Sequence, residues 1–217
     1  MNYIIDFVDD ADSSAISIYL ATNNLTAVRS FNHYKNIWIV SGDTVPPANI
    51  IIESVIEDHS SELTFLDYTH TFDNSYVKDT TFDNTDDKNW WKTASIYKFN
   101  DISSTETFPR RGLGINVYLL DSGVDSTHPE FTGTNLINLF TFNNNFTDTI
   151  GHGTALASLI IGNTCGMTDA TLKVVKISDK TQTTLTSDMI SALDAILTDF
   201  VDSDNKTSVV NISWSIP

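Results

Sequence analysis

Apolar positions in the first sixty residues come in short runs separated by turn formers. Tyr3–Val8 reads as an apolar strand, and Asp12 or Ser13 can cap a helix that carries Ile16, Tyr19 and Leu20 on one face. Leu25–Phe31 and Ile37–Val40 read as two further strands, with Asn32–Asn36 as the turn between them. Thr44 followed by Val45-Pro46-Pro47 predicts a second short helix, because proline is tolerated in a first turn where its missing N–H is not needed. Val55-Ile56 is the last predicted strand. The order β-α-β-β-α-β is that of an α+β, ferredoxin-like unit over residues 1–60.

Over residues 61–89 the pattern is lost. Asp67, Asp73, Asp79, Asp83, Asp86 and Asp87 alternate with Thr, Asn and single aromatics. The stretch reads as a solvated acidic connector anchored by Phe65, Tyr68, Phe72 and Tyr76; a cation site built from these aspartates is the alternative.

From Trp90-Trp91 onward the runs lengthen. Asn116–Leu120, Leu172–Ile177 and Ser208–Ile212 are nearly continuous apolar segments, as strands buried on both faces require. Between them Thr154–Ile161 and Ser187–Leu197 have helical periodicity, the second with Met189, Ile190, Leu193 and Ile196 on one stripe. Residues 90–217 therefore predict an α/β fold, a parallel sheet with helices on both faces. Ligands of such sheets bind at the carboxyl ends of the strands, and Asp121 stands at one of them.

Composition narrows the function. The 217 residues are 41% hydrophobic, enough for a core, and carry 28 Asp+Glu against 12 Lys+Arg, a formal net charge of −16. A polyanionic nucleic acid is a poor partner for that charge. A single cysteine, Cys165, closes no intrachain disulfide; it reads as a buried inert thiol rather than a reactive one. No zinc spacing of Cys and His appears, and no apolar run reaches the roughly 18–20 residues needed to span a membrane. The amino terminus has neither a basic nor a long apolar stretch, so no signal peptide is expected and the compartment stays open. Asn-x-Ser/Thr sequons at Asn24, Asn145, Asn205 and Asn211 carry little weight in a chain so rich in Asn and Thr.

Three segments carry chemistry. Val117–Asp125 ends a buried strand on a carboxylate, with Gly123 in the turn. Gly151-His152-Gly153-Thr154 puts a histidine at the start of a helix, and its two glycines permit close approach of backbone and substrate to the imidazole. Val209–Trp214 is a third strand end. An Asp that accepts a hydrogen bond from His fixes the ring's tautomer and leaves the other nitrogen to take a proton from a nucleophile. His128, before Pro129, reads as structural, and His33, His59 and His70 as surface residues.

These segments resemble the subtilisin-like serine proteases, the subtilase or S8 family. The likeness covers roughly Gly112–Trp214: Gly112–Phe131 resembles the family's aspartate block, and Gly151–Thr154 with Ala157 its histidine block. The resemblance implies a serine endopeptidase with Asp121 and His152 as triad acid and base. It implies that Thr183, Thr184 and Leu185 form the edge strand that pairs with extended protein or peptide substrate. Ser213, Trp214 and Ser215 would form the opposite strand, beside the primary specificity pocket. It also makes residues 1–60 an inhibitory prodomain whose segment Ile56–Glu62 points toward His152. No cofactor is implied; calcium is common in the family, but no loop here is assigned to it.

Two features depart from the family pattern. Ser215-Ile216-Pro217 stands where glycines are usual, and neither the oxyanion-hole asparagine nor the Gly-Thr-Ser-Met nucleophile block occurs among these residues. The expectation is an Asp-His-Ser enzyme whose Ser comes from sequence not shown or from a second chain, with no activity in these residues alone. The alternative is a catalytically inactive subtilase-like structural or assembly module.

Overall fold

The computed structural model describes residues 1–62, 64–65, 112–163, 166–179 and 183–215. Most of the acidic connector, with Tyr68, His70, Phe72 and Tyr76, lies outside the described residues, as do Trp90, Trp91 and Cys165.

The amino-terminal unit is built from β1 (Asn2–Phe7), α1 (Ser13–Thr22), β2 (Thr26–Ser30), β3 (Ile37–Ser41) and β4 (Ile52–Glu57). Asp12 caps α1, its side chain accepting the Ala15 N–H at 2.7 Å. One face of the helix then buries Ile16, Tyr19 and Leu20 against Tyr3, Ile5, Phe7 and Val40. The sheet order is β2-β3-β1-β4, all neighbours antiparallel. β1 and β2 therefore run the same way with β3 between them, the split βαβ arrangement of a ferredoxin-like sheet.

The second helix expected after Thr44 is absent: residues 42–51 are irregular. Each proline disfavours helical backbone at the residue before it, so Pro46 acts on Val45 and Pro47 on Pro46, and no helix starts there. The Tyr19 hydroxyl holds this segment by donating to the Pro47 carbonyl at 2.7 Å. The unit thus keeps the sheet of the expected fold with one of its two helices.

The second unit is a parallel sheet of β7 (Asn116–Asp121), β8 (Leu136–Thr141), β9 (Thr171–Lys176) and β11 (Ser208–Ile212), in the order β11-β7-β9-β8. On one face α2 (His152–Ile161) packs Ala157 and Ile161 against Leu119, Leu172 and Val174. On the other, α3 (Thr186–Asp202) packs Ala192 and Ile196 against Tyr118, Leu120, Val175 and Ile177. Helices cover both faces, and the chain is α/β in this half.

The buried face of α3 differs from the expected stripe. Leu193 is exposed, whereas Ser187, Asp188, Ser191 and Asp194 are buried. α3 lies between the parallel sheet and the amino-terminal unit, and its second buried face is polar because that unit offers polar partners. Arg29 reaches Asp188 at 3.3 Å and the Ser191 hydroxyl. Asp194 accepts the N–H groups of Asn32 and His33 at 3.0 and 2.8 Å. Ile190 adds an apolar contact with the cluster of Ile4, Phe31 and Ile39.

After β4 the chain crosses between the units as two short strands. β5 (Ser60–Glu62) pairs antiparallel with β10 (Thr183–Leu185), and β6 (Thr64–Phe65) pairs antiparallel with β12 (Trp214–Ser215). The first residues of the expected connector are therefore strands. No described helix is long and apolar enough to cross a membrane.

Candidate active site

Asp121 ends β7 at the sheet's centre, with β11 on one side and β9 on the other. It is 1% exposed. His152 opens α2, and the two residues meet: His152 Nδ1 lies 2.9 Å from Asp121 Oδ1 and 3.1 Å from Oδ2. The Asp121 oxygen Oδ1 also accepts the Ser122 N–H at 2.8 Å. Burial pushes the Asp121 carboxyl above its ordinary value, and the hydrogen bonds from His152 and Ser122 oppose that push without cancelling it.

Two glycines make this approach possible. Gly151 starts α2 with φ +94°, a left-handed conformation that costs other residues energy. At Gly153 a Cβ would fall 2.2 Å from the Gly123 carbonyl oxygen and 3.0 Å from Asp121 Oδ1. The glycine beside His152 is thus demanded by the aspartate loop itself, a closer neighbour than the substrate the sequence suggested.

The loop before His152 is organised by Asp148, which sequence reading did not single out. Gly151 brings no side-chain cap to α2. Asp148 replaces it from three residues upstream. Its Oδ2 accepts the Thr154 N–H at 2.9 Å and the Thr154 hydroxyl at 2.6 Å. Its Oδ1 accepts the N–H groups of Ile150 and Gly151, both at 2.9 Å, and the Ser122 hydroxyl at 2.9 Å. Burial pushes this carboxyl up, but the bonds from Thr154, Gly151 and Ile150 outweigh it and hold the group below its ordinary value. The available signal was an Asp within one turn of a helix whose N-cap is glycine.

Lys176 was also missed, inside what read as an apolar strand. It is fully buried, opposite Asp121 in the β7–β9 register, and its Nζ donates to the Thr147 carbonyl. Burial holds its ammonium below the ordinary value, against the charges of Asp148 and Asp179. His128 caps the 3-10 turn Pro129–Phe131 through Nδ1, and His33 and His59 are exposed.

The segments expected to hold substrate lie on two separate strands. Thr183, Thr184 and Leu185 form β10, with Ser61 opposite Thr184. Trp214 and Ser215 form β12, opposite Phe65 and Thr64, and Ser213 precedes them. The Trp214 indole donates to the Leu120 carbonyl at 3.1 Å, which fixes β12 beside the strand end that carries Asp121. No group of His, Cys, Asp and Glu suited to a metal ion occurs among the described residues.

A parallel α/β sheet thus carries a buried Asp–His pair at the carboxyl edge of its strands, with the carboxylate placed to fix the imidazole tautomer. Residues 112–216 match the model of the subtilase family, Peptidase_S8. A subtilisin-like protease of Coccidioides posadasii is 33% identical over 129 residues, covering 57% of this chain and 32% of that protein. Subtilisin-like protease 3 of Arthroderma benhamiae is 37% identical over 89 residues, covering 41% and 22%. A solved cold-adapted subtilisin-like serine proteinase aligns at 25% identity and TM-score 0.41, covering 49% of this chain and 38% of that one. The segment 112–216 is thus similar to the subtilase family and to these subtilisin-like proteases. The chain spans about a third of the first relative's length and about a fifth of the second's.

Proposed function

We propose that this chain is the prodomain and the amino-terminal part of the catalytic domain of a subtilisin-like serine endopeptidase. The observation that carries the reading is the Asp121–His152 contact at 2.9 Å, between the two segments that resemble the family's aspartate and histidine blocks. Asp121 accepts a hydrogen bond from Nδ1–H, holding the ring in one tautomer and stabilising the imidazolium. Nε2 is then the position that takes the proton of a nucleophilic serine and returns it to the leaving amine. That serine and the oxyanion donor come from outside these 217 residues, from sequence following in the same protein or from a second chain.

Substrate is a protein or peptide, held as an added strand between β10 and β12 by main-chain hydrogen bonds. In this chain the tail of the amino-terminal unit already pairs with both strands, which supports an intramolecular inhibitor acting by occupying the cleft. Kinetics on the protein carrying all three triad members tests the assignment. His152→Ala and Asp121→Asn should each lower kcat by about 10⁴-fold or more with KM little changed. Activity retained within tenfold in either variant would refute it.

A further inference from the structure

We propose that Asp148 is a positioning residue for the Asp121–His152 pair: it accepts the hydrogen bond of the Ser122 hydroxyl and so leaves Asp121 free to act as a strong acceptor for His152. The proposal rests on the functional reading above, since it concerns how that acid and base are tuned.

The Ser122 side chain is fully buried between two carboxylates. Its oxygen accepts the Gly153 N–H at 3.0 Å, which limits the directions left for its own proton. A hydroxyl has one proton to give. Two acceptors compete for it, Asp148 Oδ1 at 2.9 Å and Asp121 Oδ1 at 3.2 Å. The shorter contact decides in favour of Asp148.

Asp148 is built to win that competition as an anion. Besides Ser122 it receives three backbone N–H groups and the Thr154 hydroxyl. Such a donor set favours the charged form. Lys176 anchors the residue before it through the Thr147 carbonyl and places a cation within the same cluster. Asp121 is left with the Ser122 N–H and the imidazole Nδ1 as its donors. Were the Ser122 proton turned to Asp121, a third donor would share that carboxylate and weaken its hold on His152.

The same carboxylate binds the loop N–H groups of Ile150 and Gly151 and the first turn of α2. It therefore fixes where His152 stands as well as how strongly Asp121 accepts. Its double attachment, to the helix that carries the base and to the residue after the acid, makes it the link between the two.

Nitrogen NMR of the 217-residue chain with ¹⁵N-labelled histidine tests this without turnover. The His152 Nδ1 signal, assigned by its loss in His152→Ala, reports the strength of the acceptor. Asp148→Asn should move that signal upfield, because the amide is a weaker acceptor and the hydroxyl turns to Asp121. Ser122→Ala should leave it close to the parent position. In the Ser122→Ala, Asp148→Asn double variant the upfield shift should fall to half or less, since no hydroxyl remains to redirect. A downfield shift in Ser122→Ala would show that the hydroxyl already served Asp121 and would overturn the proposal. So would an unmoved signal in Asp148→Asn, or an equal shift with and without the hydroxyl. If Asp148→Asn does not fold, the Ser122→Ala result decides alone. A parent chain whose His152 Nδ1 carries no proton would instead overturn the Asp–His pairing on which the proposed function stands, a separate failure.

Discussion

Asp58, the residue after β4, caps the first turn of α3 through Ser187: its carboxylate accepts the Ser187 N–H at 3.0 Å and the Ser187 hydroxyl at 2.6 Å. The helix brings no side-chain cap of its own, since its N-cap position is Leu185. The amino-terminal unit thus completes a helix of the parallel-sheet unit. Removing such a cap costs about 0.5–2 kcal/mol. Asp58→Ala should lower the unfolding free energy of the chain by about that amount and speed amide exchange in the first turn of α3, measured by denaturant titration and hydrogen exchange. Unchanged exchange there would show that α3 does not depend on the docked unit.

Asp199 ties α3 to the sheet and predicts a loss of stability at both ends of the pH scale. It accepts the Tyr118 hydroxyl at 2.6 Å and pairs with Lys173. Burial raises the Asp199 carboxyl, but the bonds from Lys173 and Tyr118 outweigh it and the group lies below its ordinary value. Tyr118 is pushed up to about 12 by burial, and by the hydrogen bond to Asp199 and that residue's charge. A depressed carboxyl gives stability that is present above its unfolded value and lost as pH falls through the folded one. A raised phenol gives stability that is complete below its ordinary value and lost as pH climbs toward about 12. Asp199→Asn should flatten both limbs of a plot of Tm against pH and lower the Tyr118 titration seen by tyrosine NMR.

Gly153→Ala puts a methyl group into the contact between α2 and the aspartate loop. With backbone 2.2 Å away on one side, the loop or the helix must move. Overpacking of this kind costs about 1–3 kcal/mol. The variant should melt lower and lose the His152–Asp121 hydrogen bond in the same NMR experiment. Retention of both would mean that the two elements sit farther apart than described.

The tail's hold on β10 is made by main-chain pairing of residues 60–62, extended by the Thr186 N–H donating to the His59 carbonyl at 3.3 Å. Proline at both Ser60 and Ser61 removes whichever N–H group faces β10. Amide exchange across 183–185 should then lose protection while β1 and α1 keep theirs. Equal protection in the variant would place the tail elsewhere.

The strands β1, β7 and β9, the helix α1 with its cap, and the approach of Asp121 to His152 were legible because each rests on local signals. An apolar run, an Asp before a helical stripe, and glycines about a histidine all act over a few residues. The rest was masked by conflicting local signals or depends on partners distant in sequence. β8 escaped because Leu136, Asn138 and Leu139 mix the polarities of an edge strand. The Val45-Pro46-Pro47 stretch carried a helix-start signal that its second proline cancels. Asp188 and Asp194 lie off the apolar stripe of α3, and nothing local marks Arg29 and the β2–β3 turn as their partners. Asp148 stands in a loop whose apolar–polar pattern does not set it apart. Only the fold shows that five donors converge on it.

The central claim is that these residues supply the acid and base of a serine peptidase whose nucleophile lies elsewhere. Labelling with a fluorophosphonate probe tests it most directly. The 217-residue chain alone should take no label and cleave no peptide. The same residues joined to, or mixed with, a segment carrying the oxyanion asparagine and the nucleophile block should label on one serine, and His152→Ala should abolish that labelling. Proteolysis by the 217 residues alone, lost in His152→Ala, would contradict the account, and so would a folded complete protein that never labels.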